Sequence, residues 1–228
     1  MTRDEIDALL RTNGIDLWGV GANDPRLPLS PDLPRAISLV ARHQPEVMKG
    51  VEEAPTPGYY EDYRRLNAEL DSAAAALADA LRSAGHRAKT VDATIYDYDT
   101  VEDWADAGVF PHKTAATRAG LGWIGKTAIL VTGLYGPWVR LATVFSDIDL
   151  VPDTPIDDGR CAGCRLCVDA CPAGAGRDVA WHAGMPREEL YDVRACEAYL
   201  DNFEDLGSVC GICLAVCPFG RRSARSLA

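Results

Sequence analysis

The chain has no uninterrupted apolar run close to the roughly 20 residues that a membrane-spanning helix needs. Its first residues, MTRDEIDALL, carry acidic side chains, whereas a secretory signal peptide begins with a basic segment. Basic residues are also scarce, since 23 Lys and Arg stand against 34 Asp and Glu, a net charge of −11. These shortages exclude a membrane span, favour a cytoplasmic protein and disfavour nonspecific nucleic-acid binding, which needs clustered Lys and Arg.

Cysteine is absent before residue 161, and all eight cysteines follow within a short C-terminal region. They are spaced as Cys161-x2-Cys164-x2-Cys167-x3-Cys171-Pro172, then Cys196, then Cys210-x2-Cys213-x3-Cys217-Pro218. A cubane cluster needs four thiolates, and the x2 spacing lets one loop offer successive sulfurs to three corners of the same cube. The pattern therefore predicts two [4Fe-4S] clusters.

The partition of the cysteines follows from the prolines. In two-cluster ferredoxins the cysteine that precedes proline in each motif ligates the other cluster. One cube is therefore predicted to take Cys161, Cys164, Cys167 and Cys217, and the other to take Cys171, Cys196, Cys210 and Cys213. Cys196 must reach its cube from a longer excursion, because 13 residues separate it from Cys210 where a ferredoxin has two.

Two other uses of the cysteines match the pattern less well. Disulfide frameworks suit small secreted chains, and this sequence shows no signal peptide. Zinc sites are built from paired Cys-x2-Cys units, whereas a run of four cysteines at x2, x2 and x3 does not divide into tetrahedral sites. Iron–sulfur clusters remain the prediction.

The cysteine-free part reads as an α/β module over residues 1–150, followed by a cluster module over residues 151–228. Helical spacing of apolar residues and nearby stop signals predict three helices, at Arg3–Arg11, Tyr59–Gly85 and Thr114–Ala119. Short apolar runs predict strands at Ile15–Val20, Ala36–Val40 and Arg87–Asp92, and an antiparallel pair, Ala128–Val131 with Val139–Phe145, joined by a turn at Leu134–Pro137. Val151–Asp158, rich in Pro and Asp, reads as the linker between the modules. The predicted class is α+β.

Two segments carry a family resemblance. Arg118–Lys126 reads RAGLGWIGK, and Cys196–Leu200 reads CEAYL. Together with the cluster pattern, they resemble the signature of the epoxyqueuosine reductase family, which is related to the reductive dehalogenases. The resemblance implies a nitroreductase-like α/β module that holds a corrinoid (cobalamin) and a bacterial-ferredoxin-like module with two [4Fe-4S] clusters. It also implies a low-potential electron donor, such as ferredoxin or flavodoxin.

The resemblance also suggests site residues. Asp92, in Thr90-Val91-Asp92-Ala93, matches a family aspartate proposed as proton donor, and His112 is a second candidate for proton transfer. Corrinoid contact is implied for Tyr63, Gly120, Gly122, Trp123, Gly125 and Lys126. Each has a structural alternative: Asp92 as a strand-end cap, His112 as a hydrogen-bonded structural histidine, the glycines as a turn, Trp123 and Tyr63 as core residues, and Lys126 as a surface lysine.

Three departures from the family bear on the substrate. The helical repeat domain implicated in holding tRNA has no counterpart after Cys217, and the acidic charge also disfavours tRNA. The family's Pro-x-x-Glu-Arg element appears as Pro111-His112-Lys113, after an insertion that carries residues such as Tyr96, Asp97 and Trp104. The sequence therefore favours a reductase of a small-molecule substrate. The alternatives are an electron-transfer or reactivation partner for another protein, and epoxyqueuosine reduction on tRNA.

Overall fold

The computed structural model describes residues 1–15, 17–22, 32–94, 112–207 and 209–225. The insertion that carries Tyr96, Asp97 and Trp104 lies outside these residues, as does Pro111. In the described part of the chain, no helix combines the length and the apolar character needed to span a membrane.

The helices and strands occur in the following order along the chain. The helices are α1 (Arg3–Thr12), α2 (Pro45–Lys49), α3 (Pro57–Ser83), α4 (His112–Arg118), α5 (Leu166–Asp169), α6 (Arg187–Leu190), α7 (Val193–Leu200), α8 (Ile212–Ala215) and α9 (Pro218–Arg225). The strands are β1 (Leu17–Ala22), β2 (Arg35–Arg42), β3 (Ala88–Val91), β4 (Gly122–Ile124), β5 (Leu130–Thr132) and β6 (Val139–Ser146). The mixture of helix and strand agrees with the predicted α+β class.

The chain forms two compact units made of interleaved segments. The first contains Met1–Ala41, Leu66–Leu121 and Arg140–Ile156, and the second contains Arg42–Arg65, Gly122–Val139 and Asp157–Ala228. The single domain boundary between residues 150 and 151 stays a prediction. The two compact units are made of different segments of the chain.

The first unit is built on a four-stranded sheet with the order β1-β2-β6-β3. β1 pairs with β2 and β3 pairs with β6, both antiparallel. The core side chains predicted for α3 are all buried in the cluster that includes this sheet: Leu66, Leu70, Ala73, Leu77 and Leu81. They recur every three or four residues, which places them on one face of the helix. Gly85, with φ of 88°, follows the helix as the predicted stop.

The predicted antiparallel pair of Ala128–Val131 with Val139–Phe145 is wrong. Instead, β5 pairs antiparallel with β4, with Trp123 opposite Val131, while β6 pairs with β3 and lies next to β2. β6 is buried along almost its whole length, as a strand with neighbours on both sides must be. A turn at Leu134–Pro137 does lie between β5 and β6, but it does not join a hairpin.

The second unit has its own small apolar core, formed by Met48, Val51, Tyr59, Trp138 and Ala215. Trp138 is 1% exposed, and its indole N–H donates to the carbonyl of Leu214 at 2.8 Å. A side chain at Gly220 would collide with the Trp138 ring. The tryptophan therefore fixes the helical turn that carries the last cysteines.

Candidate iron–sulfur centre

The first cysteine motif folds as a tight turn followed by one turn of helix. Cys164 N–H donates to the carbonyl of Cys161 at 3.0 Å, and Ala162 between them has φ of 46°. This left-handed conformation reverses the chain and keeps the two cysteines close. Helix α5 then carries Cys167, and Cys171 N–H donates to the carbonyl of Val168 at 3.2 Å.

The second motif repeats this local structure. Helix α8 carries Cys213, and Cys217 N–H donates to the carbonyl of Leu214 at 3.2 Å, as Cys171 does to Val168. Gly211 has φ of 82°, and a Cβ there would lie 2.8 Å from the Tyr59 ring. Only glycine meets both conditions without strain. The shared x3 spacing thus corresponds to the same helical turn in both motifs, whereas the backbone differs just before it, where Arg165 has φ of −123° and Gly211 has φ of 82°.

One group of cysteines surrounds a cavity of about 410 Å³, a volume that includes its open mouth. The cysteines that line it are Cys161, Cys164, Cys167, Cys213 and Cys217, with apolar walls that include Ile129, Val131 and Phe219. Burial raises the pKa of Cys167, and the nearby Cys161 and Cys164 raise it further. Burial likewise raises the pKa of Cys217 to about 11, with contributions from Cys167 and Cys161. These four are the cysteines predicted for one cube.

The remaining cysteines form a second group. Burial raises the pKa of Cys196, with Cys171 as a nearby thiol that adds to the rise. Burial also raises the pKa of Cys210, next to Cys196 and Cys171. Cys213 is the most strongly affected thiol: burial raises its pKa, and Cys210 is its foremost thiol neighbour. The neighbours of Cys213 therefore place it with the second group, although it also lines the cavity of the first.

Cys196 reaches this group from helix α7. The carboxylate of Asp192 caps that helix by accepting from Ala195 N–H at 3.0 Å. Burial raises the pKa of the Cys196 thiol, and the nearby Tyr191 hydroxyl partly offsets that rise. The long segment before Cys210 thus contains a capped helix. This helix carries Cys196 to the second group, in agreement with its predicted position.

The donor set fits [4Fe-4S] clusters. Each group offers four half-buried thiols. Burial raises the pKa of Cys167 and Cys217 in the first group and of Cys196, Cys210 and Cys213 in the second, and coordination to iron removes that penalty because the metal holds each sulfur as thiolate. Among the described residues, no three or more His, Cys, Asp or Glu side chains form a site for a single metal ion. A cube differs from such a site in taking one thiolate at each of four iron atoms.

Trp123 lies against the first group. Its indole N–H donates to the Cys161 sulfur at 3.4 Å, and its ring meets Phe219 edge to face at a centroid distance of 5.0 Å. The side chain is 3% exposed. The corrinoid contact predicted for Trp123 stays a prediction, while its described contacts lie with the cluster loop.

The three glycines of the RAGLGWIGK segment have different surroundings. Gly120 belongs to the first unit, with φ of 68°, and a Cβ there would lie 2.6 Å from the Thr154 carbonyl. At Gly122 a Cβ would collide with the carbonyl of Val131, its neighbour across the β4–β5 pair. Gly125 lines the cysteine cavity. Close backbone approach explains Gly120 and Gly122, and the corrinoid role of all three glycines stays a prediction.

Lys126 is buried and forms an ion pair. Its Nζ lies 2.6 Å from Asp178 Oδ1, and Asp178 also binds Arg165, at the start of α5. The hydrogen bond from Lys126 lowers the pKa of Asp178, with Arg165 adding to the effect. The alternative of a surface lysine is wrong, because the side chain is 8% exposed. The structure thus links the end of the signature segment to the first cysteine helix.

His112 and Asp92, the predicted proton-transfer residues, are joined by a hydrogen bond in the first unit. His112 Nε2 lies 2.9 Å from the Asp92 carbonyl, and Nδ1 lies 2.8 Å from Thr143 Oγ1. Burial lowers the pKa of His112 to about 4, so the ring is neutral at pH 7. Nε2–H therefore donates to Asp92, and Nδ1 accepts from Thr143. Asp92 itself is exposed.

Other side chains hold the same segment, and sequence reasoning missed them. Asp71 accepts from Ala93 N–H at 2.7 Å, and Arg140 donates to the Ala93 carbonyl at 3.2 Å and to Thr94 Oγ1 at 2.6 Å. Arg140 also donates to Asn67 at 2.9 Å. A charged residue within the apolar strand Val139–Phe145 was the available signal. Together with His112, these residues fix the backbone on which Asp92 lies.

Tyr63 is half-buried on α3, and its pocket role stays a prediction. The neighbouring Asp62 is the more strongly engaged residue. Its carboxylate lies 2.7 Å from His43 Nδ1, and both side chains are buried. Burial opposes ionisation of Asp62, but hydrogen bonds from His43 and Arg65 lower its pKa overall. No sequence spacing linked His43 to Asp62, because α2 and the loop after it separate them.

Comparisons with known proteins agree with this site. Residues 154–175, which hold the first motif, match the family model "4Fe-4S binding domain". An epoxyqueuosine reductase of Synechocystis is 33% identical over 131 residues, which is 54% of this chain and 44% of that protein. A tetrachloroethene reductive dehalogenase of Sulfurospirillum multivorans is 36% identical over 124 residues, 49% of this chain and 24% of that protein. The chain thus matches less than half of either relative's length.

Solved structures extend the likeness to the whole chain at the level of fold. The catabolic reductive dehalogenase NpRdhA superposes with a TM-score of 0.75 at 23% identity, covering 96% of this chain and 32% of the other. An epoxyqueuosine reductase superposes with a TM-score of 0.59 at 22% identity, covering 96% and 65%. The chain thus has a mixed α and β fold with a ferredoxin-like 4Fe-4S motif. The predicted resemblance to epoxyqueuosine reductases and reductive dehalogenases is confirmed.

Proposed function

We propose that the protein is an iron–sulfur oxidoreductase in which two [4Fe-4S] clusters pass electrons to an acceptor held by its α/β part. The observation that carries the proposal is the pair of four-cysteine groups, each of which includes one helical turn closed by the same backbone hydrogen bond, from Cys171 to Val168 and from Cys217 to Leu214. The relatives named as reductases support the class of reaction.

Electrons reach the proposed clusters one at a time. A [4Fe-4S] cluster carries one electron at a time, which suits a low-potential one-electron donor such as ferredoxin or flavodoxin. Cys213 lines the cavity of the first group and has Cys210 of the second as its foremost neighbour, so the two cubes would be adjacent. Two successive transfers then complete a two-electron reduction.

The acceptor is proposed to be a small-molecule substrate, reached directly or through cobalamin. One solved neighbour is described as a structure that suggests a mechanism for B12-dependent dehalogenation. When bound, cobalamin supplies a low-valent cobalt that acts as a strong nucleophile and reductant. The described contacts of Trp123, Gly125 and Lys126 lie with the cysteine loops, and the corrinoid contact that the resemblance implies for them stays a prediction.

Proton supply is assigned to Asp92. His112 bonds to its carbonyl, and Asp71 and Arg140 hold the backbone of the next residue, Ala93, while the Asp92 side chain is exposed. His112 is neutral, and its one N–H is committed to the Asp92 carbonyl. We therefore propose that His112 positions Asp92, in keeping with the structural alternative for this histidine.

The first test is the cluster content. Anaerobic reconstitution is expected to give about eight iron atoms and eight sulfides per chain, four of each for every cube. Chemical analysis of iron and acid-labile sulfide, with EPR after dithionite reduction, measures both. A stable content of about four would mean that only one cube forms.

The second test is titration with cobalamin. A shift in the visible spectrum of cobalamin at stoichiometric protein is expected if the acceptor is a corrinoid. Reduced protein that binds no corrinoid but donates electrons to a partner would support the alternative of an electron-transfer or reactivation protein.

Epoxyqueuosine reduction on tRNA is the third candidate, and similarity to named epoxyqueuosine reductases favours it. The net charge of −11 opposes it, since tRNA binding needs basic surface. The discriminating assay incubates the reduced protein with tRNA that carries epoxyqueuosine and measures queuosine in nuclease digests. Formation of queuosine by this chain would replace the small-molecule proposal.

A further inference from the structure

Thr127 is a buried polar residue between β4 and β5. The residue is 5% exposed, and its Oγ1 has no hydrogen-bond partner among the residues that the structure describes. Its methyl carbon lies 3.2 Å from the position that a Cβ on Gly176 would occupy. A buried hydroxyl without a partner costs about 1–3 kcal/mol, so such a group calls for a ligand.

Cysteine sulfurs surround the cavity that Thr127 lines. Cys167 and Cys213 are among the residues that line it with Thr127. The buried Thr127 hydroxyl makes no hydrogen bond to either sulfur in the structure, so it is available to thiolates that hold a cluster there.

These two sulfurs belong to different predicted cubes. Cys167 is a ligand of the first cube, and Cys213 is assigned to the second by its spacing and by its neighbour Cys210. Thr127 therefore lies where the two cubes approach each other. Trp123 differs in this respect, because its indole N–H donates to Cys161 of the first cube alone.

We propose that the Thr127 hydroxyl donates to cluster thiolates at the junction of the two cubes and raises the reduction potential of both. The inference rests on the proposed two-cluster function. Reduction adds negative charge to a cube, and a hydrogen bond to a ligating sulfur stabilises that charge. A hydroxyl carries a single proton, so a donor at the junction divides its hydrogen bond between sulfurs of the two cubes.

The test compares Thr127→Val, which has nearly the same shape but no hydroxyl, with Thr127→Ser, which keeps the hydroxyl. Potentiometric titration followed by EPR gives the midpoint potential of each cube. For Thr127→Val we expect both midpoints to fall, and the ratio of reduced to oxidised cube at a fixed potential to drop by roughly three- to tenfold, the effect of one hydrogen bond. Tenfold corresponds to about 59 mV for one electron.

Trp123→Phe is the comparator, and it is expected to lower the midpoint of the first cube alone. Thr127→Ser is expected to keep both wild-type midpoints. Unchanged midpoints in Thr127→Val, or a shift in only one cube, would overturn the proposal. If Thr127→Val does not assemble its cubes, Thr127→Ser provides the test. Wild-type midpoint potentials in Thr127→Ser support the role of the hydroxyl. A fall in both midpoint potentials would assign the effect to packing against Gly176.

The proposed function is tested separately on the wild-type protein. Its iron content and EPR signals establish whether two cubes are present before any variant is compared. A wild-type chain with one cube would contradict the two-cluster function, whereas two cubes that ignore the loss of the hydroxyl would contradict only the role of Thr127.

Discussion

Replacing Cys196 with alanine is expected to remove one cube and leave the other, so that iron falls from about eight to about four atoms per chain. Cys196 is the ligand that comes from outside both compact motifs, and its neighbours are Cys171 and Cys210. Among the described residues that line the cavity with Cys161, Cys164, Cys167 and Cys217, none belongs to helix α7. Its cube should therefore assemble without Cys196.

Cys217→Ala is the matched variant, because it removes the fourth ligand of the first cube. It is also expected to retain about four iron atoms, but in the other cube. The two variants should therefore give different EPR spectra after reduction, and each spectrum should account for part of the wild-type signal. Equal loss of both cubes in Cys196→Ala, or identical spectra from the two variants, would overturn the partition of the cysteines.

Sequence reasoning could propose the cysteine groups because cluster ligation depends on local spacing, and their partition into two cubes stays a prediction. The x2 and x3 intervals set which sulfurs one loop can present, and the structure gives both motifs the same helical turn. The long helix α3 was also predictable, since its apolar residues recur on one face over many turns. Both the cysteine spacing and the helical periodicity are contained in short, continuous segments of the sequence.

The errors arose where distant segments meet. β5 and β6 are consecutive apolar strands, and consecutive strands often pair, yet each pairs with a strand that lies elsewhere in the sequence. The contacts of Trp123 with Cys161 and of Lys126 with Asp178 join residues 38 and 52 positions apart. No pattern along the chain encodes such pairs, although both residues were recognised as part of one signature.

The segment that carries Asp92 shows the same limit. The sequence indicated Asp92 and His112 separately, through resemblance and through the scarcity of histidine. The structure joins them because α4 follows the segment in the fold and presents His112 to Thr143, which pairs with Val91 across β3 and β6. The role of His112 in positioning Asp92 is therefore evident only from the hydrogen bond that its ring donates to the Asp92 carbonyl.

Replacing His112 with leucine is expected to destabilise the first unit by about 1–3 kcal/mol at pH 7.5. Leucine fills much of the same space but cannot bond to Thr143, which is fully buried, or to the Asp92 carbonyl. His112→Gln keeps a side-chain donor for Asp92 and should lose less. Denaturant unfolding followed by far-UV circular dichroism measures the difference, and a leucine variant as stable as wild type at pH 7.5 would contradict these bonds.

The pH dependence of stability distinguishes this hydrogen-bonded histidine from a packing effect. The pKa of His112 falls from 6.5 to about 4 on folding, mainly because of burial, and Arg140 also opposes its protonation. The unfolded chain therefore binds the proton more readily, so stability is complete above pH 6.5 and is lost as the pH falls towards 4. When the pH is lowered from 7.5 to 5.5, the free energy of unfolding should fall by roughly 1 kcal/mol, since the half-buried ring is partly screened by solvent. His112→Leu and His112→Gln should lack this component. Equal pH dependence in the wild-type and both variants would show that His112 is not held neutral by its contacts with Asp92 and Thr143.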